Sequence, residues 1–235
     1  MIASSLFHFT RDFETVTKII SGSKFRASYN IEDVSDFYPK EKYVAIPMVC
    51  FCDIPLKFIS EHPMVYGNYG IGLKKEWGIG KGINPILYRT DSQINRYLEE
   101  IITATQYSPA SSTGTFSQTV IKDNILRLSN YSKKYAADNI VNYLDREWRF
   151  VPSVAEMPFL KTRSQKERDK INNNYFKRDP DYISFGLNDI KYIIVPTKKE
   201  VKSLIESIQT LKMNDKDKFH LCQLIIDLNS IKKDF

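Results

Sequence analysis

Strand-like apolar runs stand near both ends of this chain, and a long helix-patterned stretch separates them. That order constrains the fold more than any other feature. It excludes a regular βαβ alternation and predicts an α+β fold, with a mixed or antiparallel sheet flanked by helices. The first run, Leu6-Phe7-His8-Phe9-Thr10, reads as a short strand. A helix follows in which Phe13, Val16, Ile19 and Ile20 share one face, with Gly22 placed where a glycine ends a helix. Residues 43–54 (YVAIPMVCFCDI) read as a buried strand, bent or begun near Pro47. Segments 70–75 and 84–90 are further strand candidates.

Residues 91–143 read as a helical block. Ile94, Tyr97, Leu98, Ile101 and Ile102 form an apolar stripe, and a Ser/Thr/Gly loop at 108–115 separates this helix from a second one. Strands are expected again at 147–153, 182–186 and 190–196. Thr197-Lys-Lys-Glu200 then has the form of a capping box opening a helix whose apolar face is Val201, Leu204, Ile205 and Ile208.

Composition narrows the class. With 235 residues, 42% hydrophobic and 26% charged, the chain is neither disordered, collagen-like nor a long coiled coil. Its length fits one large domain or two small ones. No stretch approaches the ~20 apolar residues of a membrane span. The N-terminus lacks a basic region followed by an apolar one, and three cysteines do not make a disulfide framework, so a cytoplasmic protein is expected. No GxGxxG follows a strand and no P-loop is present, which argues against those nucleotide sites. The 34 Lys and Arg exceed the 28 Asp and Glu by six. Segment 161–178, read as a basic loop, holds seven basic residues against Glu167 and Asp169, and so carries five of those six charges. It reads either as a phosphate contact, with Asn172–Asn174 and Tyr175 available to bases, or as a solvated excursion.

Few residues have the spacing of a reactive centre. The three histidines (His8, His62 and His220) form no metal-ligand pattern, and Cys50-x-Cys52 is a lone pair on one strand face, so no metal is expected. Polar groups embedded in strand-like sequence stand out instead. His8 and Thr10 share a strand face, as do Asp145 and Glu147 at the entry to a later strand. An aromatic turn carrying Tyr66 and Tyr69 lies between them in the chain. Each residue also has an ordinary structural account: a capping His, a surface Glu paired with Arg149, and tyrosines at a core edge. Six of the nine glycines fall between Gly67 and Gly82, marking either tight turns or a segment that hugs a ligand.

The run HFT, then IPMVCFCDIPL, then HPMVYGNYGIGLKKEWG and a late EWRFVP resemble the AbiGi family of abortive-infection proteins. The resemblance implies a single domain over 1–235 in a bacterial phage-defence component. A more distant resemblance, on a strand-borne His with a following Thr, an aromatic segment and a late Glu, is to DarT-like and diphtheria-toxin-like mono-ADP-ribosyltransferases. It implies an ADP-ribosyltransferase-like fold with NAD as substrate. His8 and Thr10 would hold a ribose, Phe51, Tyr66 or Tyr69 would stack on nicotinamide, and Glu147 would stabilise the cation formed as the glycosidic bond breaks. The tyrosines are three apart where such enzymes often have about ten. A nucleic-acid acceptor would meet Asp145, Lys161, Arg163, Lys166, Arg168 and Lys170. The alternative is a non-enzymatic antitoxin or sensor acting with a partner protein. A nuclease ranks last, for want of a His or carboxylate cluster.

Overall fold

The computed structural model describes residues 3–38, 42–59, 66–90, 93–107, 124, 127–137, 140–152, 160–161, 164–177 and 180–234. β1 (Ser5–Thr10) opens the chain. α1 (Phe13–Gly22) follows, its first turn capped by Asp12, whose carboxylate accepts from the Thr15 N–H at 2.7 Å. α1 buries Val16, Ile19 and Ile20, the expected face. The left-handed residue that ends it is Ser23, at φ 48°, one position beyond Gly22.

The chain continues through β2 (Lys24–Arg26), β3 (Ser28–Asp33), β4 (Tyr43–Cys52) and β5 (Tyr69–Lys74) to the short α2 (Lys75–Gly80). β6 (Asn84–Pro85), β7 (Leu87–Arg89), α3 (Gln93–Tyr107), β8 (Ser132–Lys134), β9 (Ala136–Ala137) and β10 (Ile140–Val141) come next. β11 (Glu147–Phe150), β12 (Leu160–Lys161), α4 (Gln165–Phe176), β13 (Tyr182–Ser184) and β14 (Ile190–Val195) complete the main framework. α5 (Lys198–Gln209), α6 (Asp215–Gln223), β15 (Ile225–Asp227) and α7 (Leu228–Asp234) close the chain.

The expected α+β class holds, and the principal sheet is mixed. Its order is β15-β14-β5-β1-β4-β11-β6, with β3 and β12 also paired to β4. Its pairings are antiparallel except β14 with β15. β4 joins its two parts. Its first half pairs with β3 and β12, and residues 49–52 pair with β11. Pro47 falls between the β12 and β11 pairings, so its missing N–H interrupts no ladder there and the strand runs on without a break. The largest core lies between the sheet and α1 and α5, and includes Leu6, Ile20, Phe25, Phe51, Ile193 and Leu204.

Several expectations need correction. Within 91–143 the first part is the long α3, and residues 124 and 127–129 are helical again. Residues 132–141 form β8–β10 instead, because β8 finds a parallel partner in β7, pairing Ser132 with Leu87 and Lys134 with Arg89. Residues 108–123, which include the Ser/Thr/Gly loop, lie outside the described residues. The expected basic loop at 161–178 contains α4, capped by Ser164, whose side chain accepts from the Glu167 N–H at 3.2 Å. Asn172 docks α4 on β3: it accepts from the Tyr29 N–H at 2.7 Å and donates to the Tyr29 carbonyl at 3.0 Å, as a neighbouring strand would. Tyr175 meets Tyr29 edge-on and donates to Asp181 at 2.6 Å. These two residues brace the fold and do not offer themselves to bases.

Close packing explains four of the six clustered glycines, Gly67, Gly70, Gly72 and Gly78, whereas Gly80 and Gly82 have open space beside them. A Cβ on Gly72 would meet the Phe7 ring at 2.5 Å, one on Gly70 the Phe9 ring at 2.9 Å, and one on Gly78 the Leu6 side chain at 2.5 Å. Gly67, at φ +119°, sits directly against the Thr10 backbone. α6, β15 and α7 follow the helix that opens after Thr197. No described helix is long and apolar enough to cross a membrane.

Candidate functional site

β1 and β4 touch at one ladder position, Phe7 opposite Cys52, and then part. Beyond that point β1 stays paired with β5 as far as Thr10 opposite Tyr69. A cleft of about 760 Å³ opens in the gap, lined from β1, α1, β2, β3, β4 and α4. His8 spans the gap, its Nδ1 2.9 Å from the Cys50 carbonyl oxygen. A carbonyl only accepts, so Nδ1 carries the proton and the neutral ring keeps Nε2 as an acceptor. Desolvation holds the His8 pKa below its ordinary value against the opposing effect of that hydrogen bond, so the ring is neutral at pH 7.

One wall of the cleft is a buried charge network. β11 alternates, placing Glu147 and Arg149 on one face and Trp148 and Phe150 on the other. Arg149 is fully buried. Its Nε donates to Glu147 Oε1 at 2.6 Å, its Nη2 to Glu32 at 2.6 Å, and its Nη1 to the Asn130 carbonyl at 2.8 Å. Lys133 Nζ lies 3.1 Å from Glu147 Oε2 and 4.0 Å from Asp145. Tyr66 donates to Asp145 at 2.8 Å, and the Glu147 N–H donates to the Tyr88 hydroxyl at 2.7 Å. Arg146, between the two carboxylates, takes φ 43°. That left-handed residue turns the chain from the Asn142–Asp145 3₁₀ turn into β11, so both carboxylates reach the cleft.

These contacts set the titration. Burial pushes the Glu147 carboxyl upward, but the Arg149 and Lys133 charges and hydrogen bonds from Arg149 and Cys50 outweigh it and bring it down to about 2. Glu32 moves the other way, because desolvation and the nearby Glu147 exceed what it gains from the shared guanidinium. Desolvation alone would lower the Lys133 pKa, but the Glu147 and Glu32 charges prevail and raise it. Burial, then the neighbouring carboxylates, push the Cys50, Cys52 and Tyr66 protons toward retention. The two thiols are therefore packed, protonated groups.

The cleft gathers His8, Tyr66, Asp145, Glu147 and Arg168 from distant parts of the chain. It leaves out others. Phe51 has no exposed surface and packs against Phe25 and Trp77, so its ring is not free to stack on a ligand. Tyr69 meets Phe13 edge-on, and neither it nor Thr10, its ladder partner, lines the cleft. Tyr66, a residue 39% exposed whose hydroxyl is held by Asp145, is the expected aromatic that does line it. Lys166 and Lys170 lie on α4 away from the cleft. Arg163 and His62 lie outside the described residues, as does the Lys161 side chain. The Glu147–Arg149 pair exists, but it is buried and not on the surface. Among the described residues no group of three His, Cys, Asp or Glu is placed to hold a metal ion.

Glu32, Lys133 and Tyr88 were not legible as site residues. Lys133 in particular sits in a segment whose spacing resembles a helix, and only the β7–β8 pairing aims it at Glu147.

The AbiGi family profile, described as "Putative abortive phage resistance protein AbiGi, antitoxin", matches residues 23–196. The abortive phage resistance protein AbiGi of Lactococcus lactis subsp. cremoris is 26% identical over 233 residues, covering 83% of this chain and 90% of its own length. No solved structure matches. Glu32, Tyr66, Lys133, Asp145, Glu147 and Arg149 fall inside the profile match, and His8 precedes it.

Proposed function

The chain belongs to the AbiGi family, and we propose that it acts in abortive phage resistance by taking NAD into the β1–β4 cleft and moving its ADP-ribose to a macromolecule. The observation that carries this reading is the meeting of His8, Tyr66, Asp145 and Glu147 in one cleft. The bond from ribose C1′ to the nicotinamide nitrogen breaks, and its electron pair leaves with the ring, which becomes neutral. The acceptor's nucleophilic atom forms the new bond to C1′ and gives up its proton.

Each residue has a part in this proposal. Glu147, ionised at any physiological pH, stabilises the positive charge that develops on the ribose. His8 accepts from a ribose hydroxyl through Nε2. The exposed part of the Tyr66 ring stacks on nicotinamide, and its bond to Asp145 fixes the ring's position. The acceptor class we propose is nucleic acid, drawn by the exposed Lys166 and Lys170.

The test is calorimetric titration with NAD of the wild type, His8→Ala and Glu147→Gln, with circular dichroism as the folding control. Binding that His8→Ala removes, with mass gained by an acceptor and lost in Glu147→Gln, supports the reading. A folded wild type that does not bind NAD overturns it.

A second reading is the antitoxin named in the family description. It is favoured by the commitment of both Glu147 oxygens to Arg149 and Lys133, which gives that carboxylate a structural task. Under it the protein neutralises a toxin partner, and His8→Ala protects toxin-expressing cells as well as the wild type does.

A further inference from the structure

The three carboxylates of the cleft have partners within the protein: Glu32 and Glu147 are held by Arg149, Glu147 and Asp145 face Lys133, and Asp145 accepts from Tyr66. Among the cations that line it, Lys18 is paired with Glu14 at 2.7 Å and Arg168 with Asp169 at 2.7 Å. Two others differ. Lys24 and Arg26 stand two apart on β2, on the face opposite the buried Phe25, so their side chains share one side of the strand; both line the cleft, as Phe25 does from the other side. Neither has a carboxylate partner among the described residues. Each rests instead on an aromatic ring: Lys24 Nζ lies 3.8 Å from the centroid of Tyr182, and the Arg26 guanidinium 3.7 Å from that of Phe176.

A ring beneath a cation restricts its rotamers without neutralising its charge. A guanidinium lying flat on a ring also keeps its N–H groups in the plane, directed outward, where they suit the oxygens of a phosphate. Along β2 the charge without a carboxylate partner is therefore positive and oriented in advance.

We infer that Lys24 and Arg26 form a phosphate subsite at the β2 wall of the cleft, and that the ligand class is a small molecule bearing a diphosphate. The two unpaired cations match the two negative charges of a nucleoside diphosphate bridge. This inference deepens the proposal that the cleft takes NAD, and it rests on the cleft being a ligand site.

The experiment is calorimetric titration with inorganic pyrophosphate and, separately, with NAD. The proteins are the wild type, the double variant Lys24→Gln/Arg26→Gln, and Lys18→Gln as a control cation on the same cleft. Both target residues are exposed, and matched thermal melts will show that the double variant folds. Pyrophosphate affinity should fall about tenfold or more in the double variant and stay near wild type in Lys18→Gln. Undiminished affinity in the double variant overturns the subsite, and so does an equal loss in Lys18→Gln, which would mean diffuse attraction. Binding of a single-stranded oligonucleotide that needs Lys24 and Arg26, with no pyrophosphate binding, overturns the small-molecule assignment. The two readings separate cleanly. Pyrophosphate held by this pair without NAD binding keeps the subsite and rejects the NAD proposal, whereas NAD bound equally by the double variant does the reverse.

Discussion

Replacing Arg149 with Met removes one cation from the most heavily buried charge network in the described fold. The side chain has no exposed surface, and it serves Glu147, Glu32 and the Asn130 carbonyl at once. Methionine fills similar volume but leaves two adjacent buried carboxylates with Lys133 as their remaining cation. Breaking a buried ion pair from one side costs about 3–5 kcal/mol, because the partner charge stays behind without compensation. The depression of Glu147 from 4.5 to about 2 independently corresponds to about 3 kcal/mol. At about 2–4 °C per kcal/mol for a chain of this size, the melting temperature should fall by about 6–20 °C.

The pH dependence carries the sharper test. In the wild type the folded Glu147 pKa lies below its unfolded value, so its contribution is present above pH 4.5 and is lost as pH falls from there toward about 2. In Arg149→Met, desolvation and mutual repulsion should raise the folded pKa values of Glu32 and Glu147 above their unfolded values. The variant's deficit should then be largest at pH 8 and shrink toward pH 5. Urea denaturation followed by circular dichroism at pH 8, 6.5 and 5 measures it. A deficit that grows on acidification, or a melting temperature within about 2 °C of wild type, roughly the effect of 1 kcal/mol or less, would refute the reasoning. Replacing all three members of the ion pair system, as Glu32→Leu/Glu147→Leu/Arg149→Met, should recover part of the loss, since no carboxylate of the trio is then left buried.

Three further outcomes are expected. Gly72→Ala should cost about 1–3 kcal/mol in chemical denaturation, because the new methyl meets the buried Phe7 ring at 2.5 Å, whereas Gly80→Ala meets nothing within 4 Å and should be neutral or gain up to about 1 kcal/mol. Asn172→Ala should destabilise by about 1–3 kcal/mol and speed hydrogen exchange at the Tyr29 amide, and protection equal to wild type there would show that α4 does not brace β3. His8 has a folded pKa below 6.5, so the wild type should lose stability as pH falls from about 7 to 5, and His8→Asn should lack that slope; identical pH profiles for the two proteins would contradict the buried neutral imidazole.

Where local pattern and tertiary environment agree, the sequence was readable. β1, α1, β4, β5, β11 and β14 lie where apolar spacing places them, because each is repaid locally by an amphipathic face or a buried run. Reading failed where a distant partner overrides local preference. Ser132–Lys134 becomes a strand through β7, more than forty residues earlier in the chain, and the polar segment of α4 is held on β3 through Asn172 and Tyr175. Gly70 and Gly72 could not be told from a ligand-hugging loop, since their reason is the pair of phenylalanine rings on the facing strand. Phe51 had the right residue type for stacking, and its burial against Phe25 and Trp77 removes it from the cleft.

By itself the sequence determined that His8 rides on an early strand and that Glu147 opens a later one, because strand patterning is local to the chain. The tertiary structure decided the rest: that Arg149 meets Glu32 across 117 residues, that Lys133 completes the pairing of Glu147, and that Lys24 and Arg26 are left unpaired over rings. Charge state and accessibility depend on which groups lie within a few ångströms in a medium that screens weakly, and chain order does not contain that proximity.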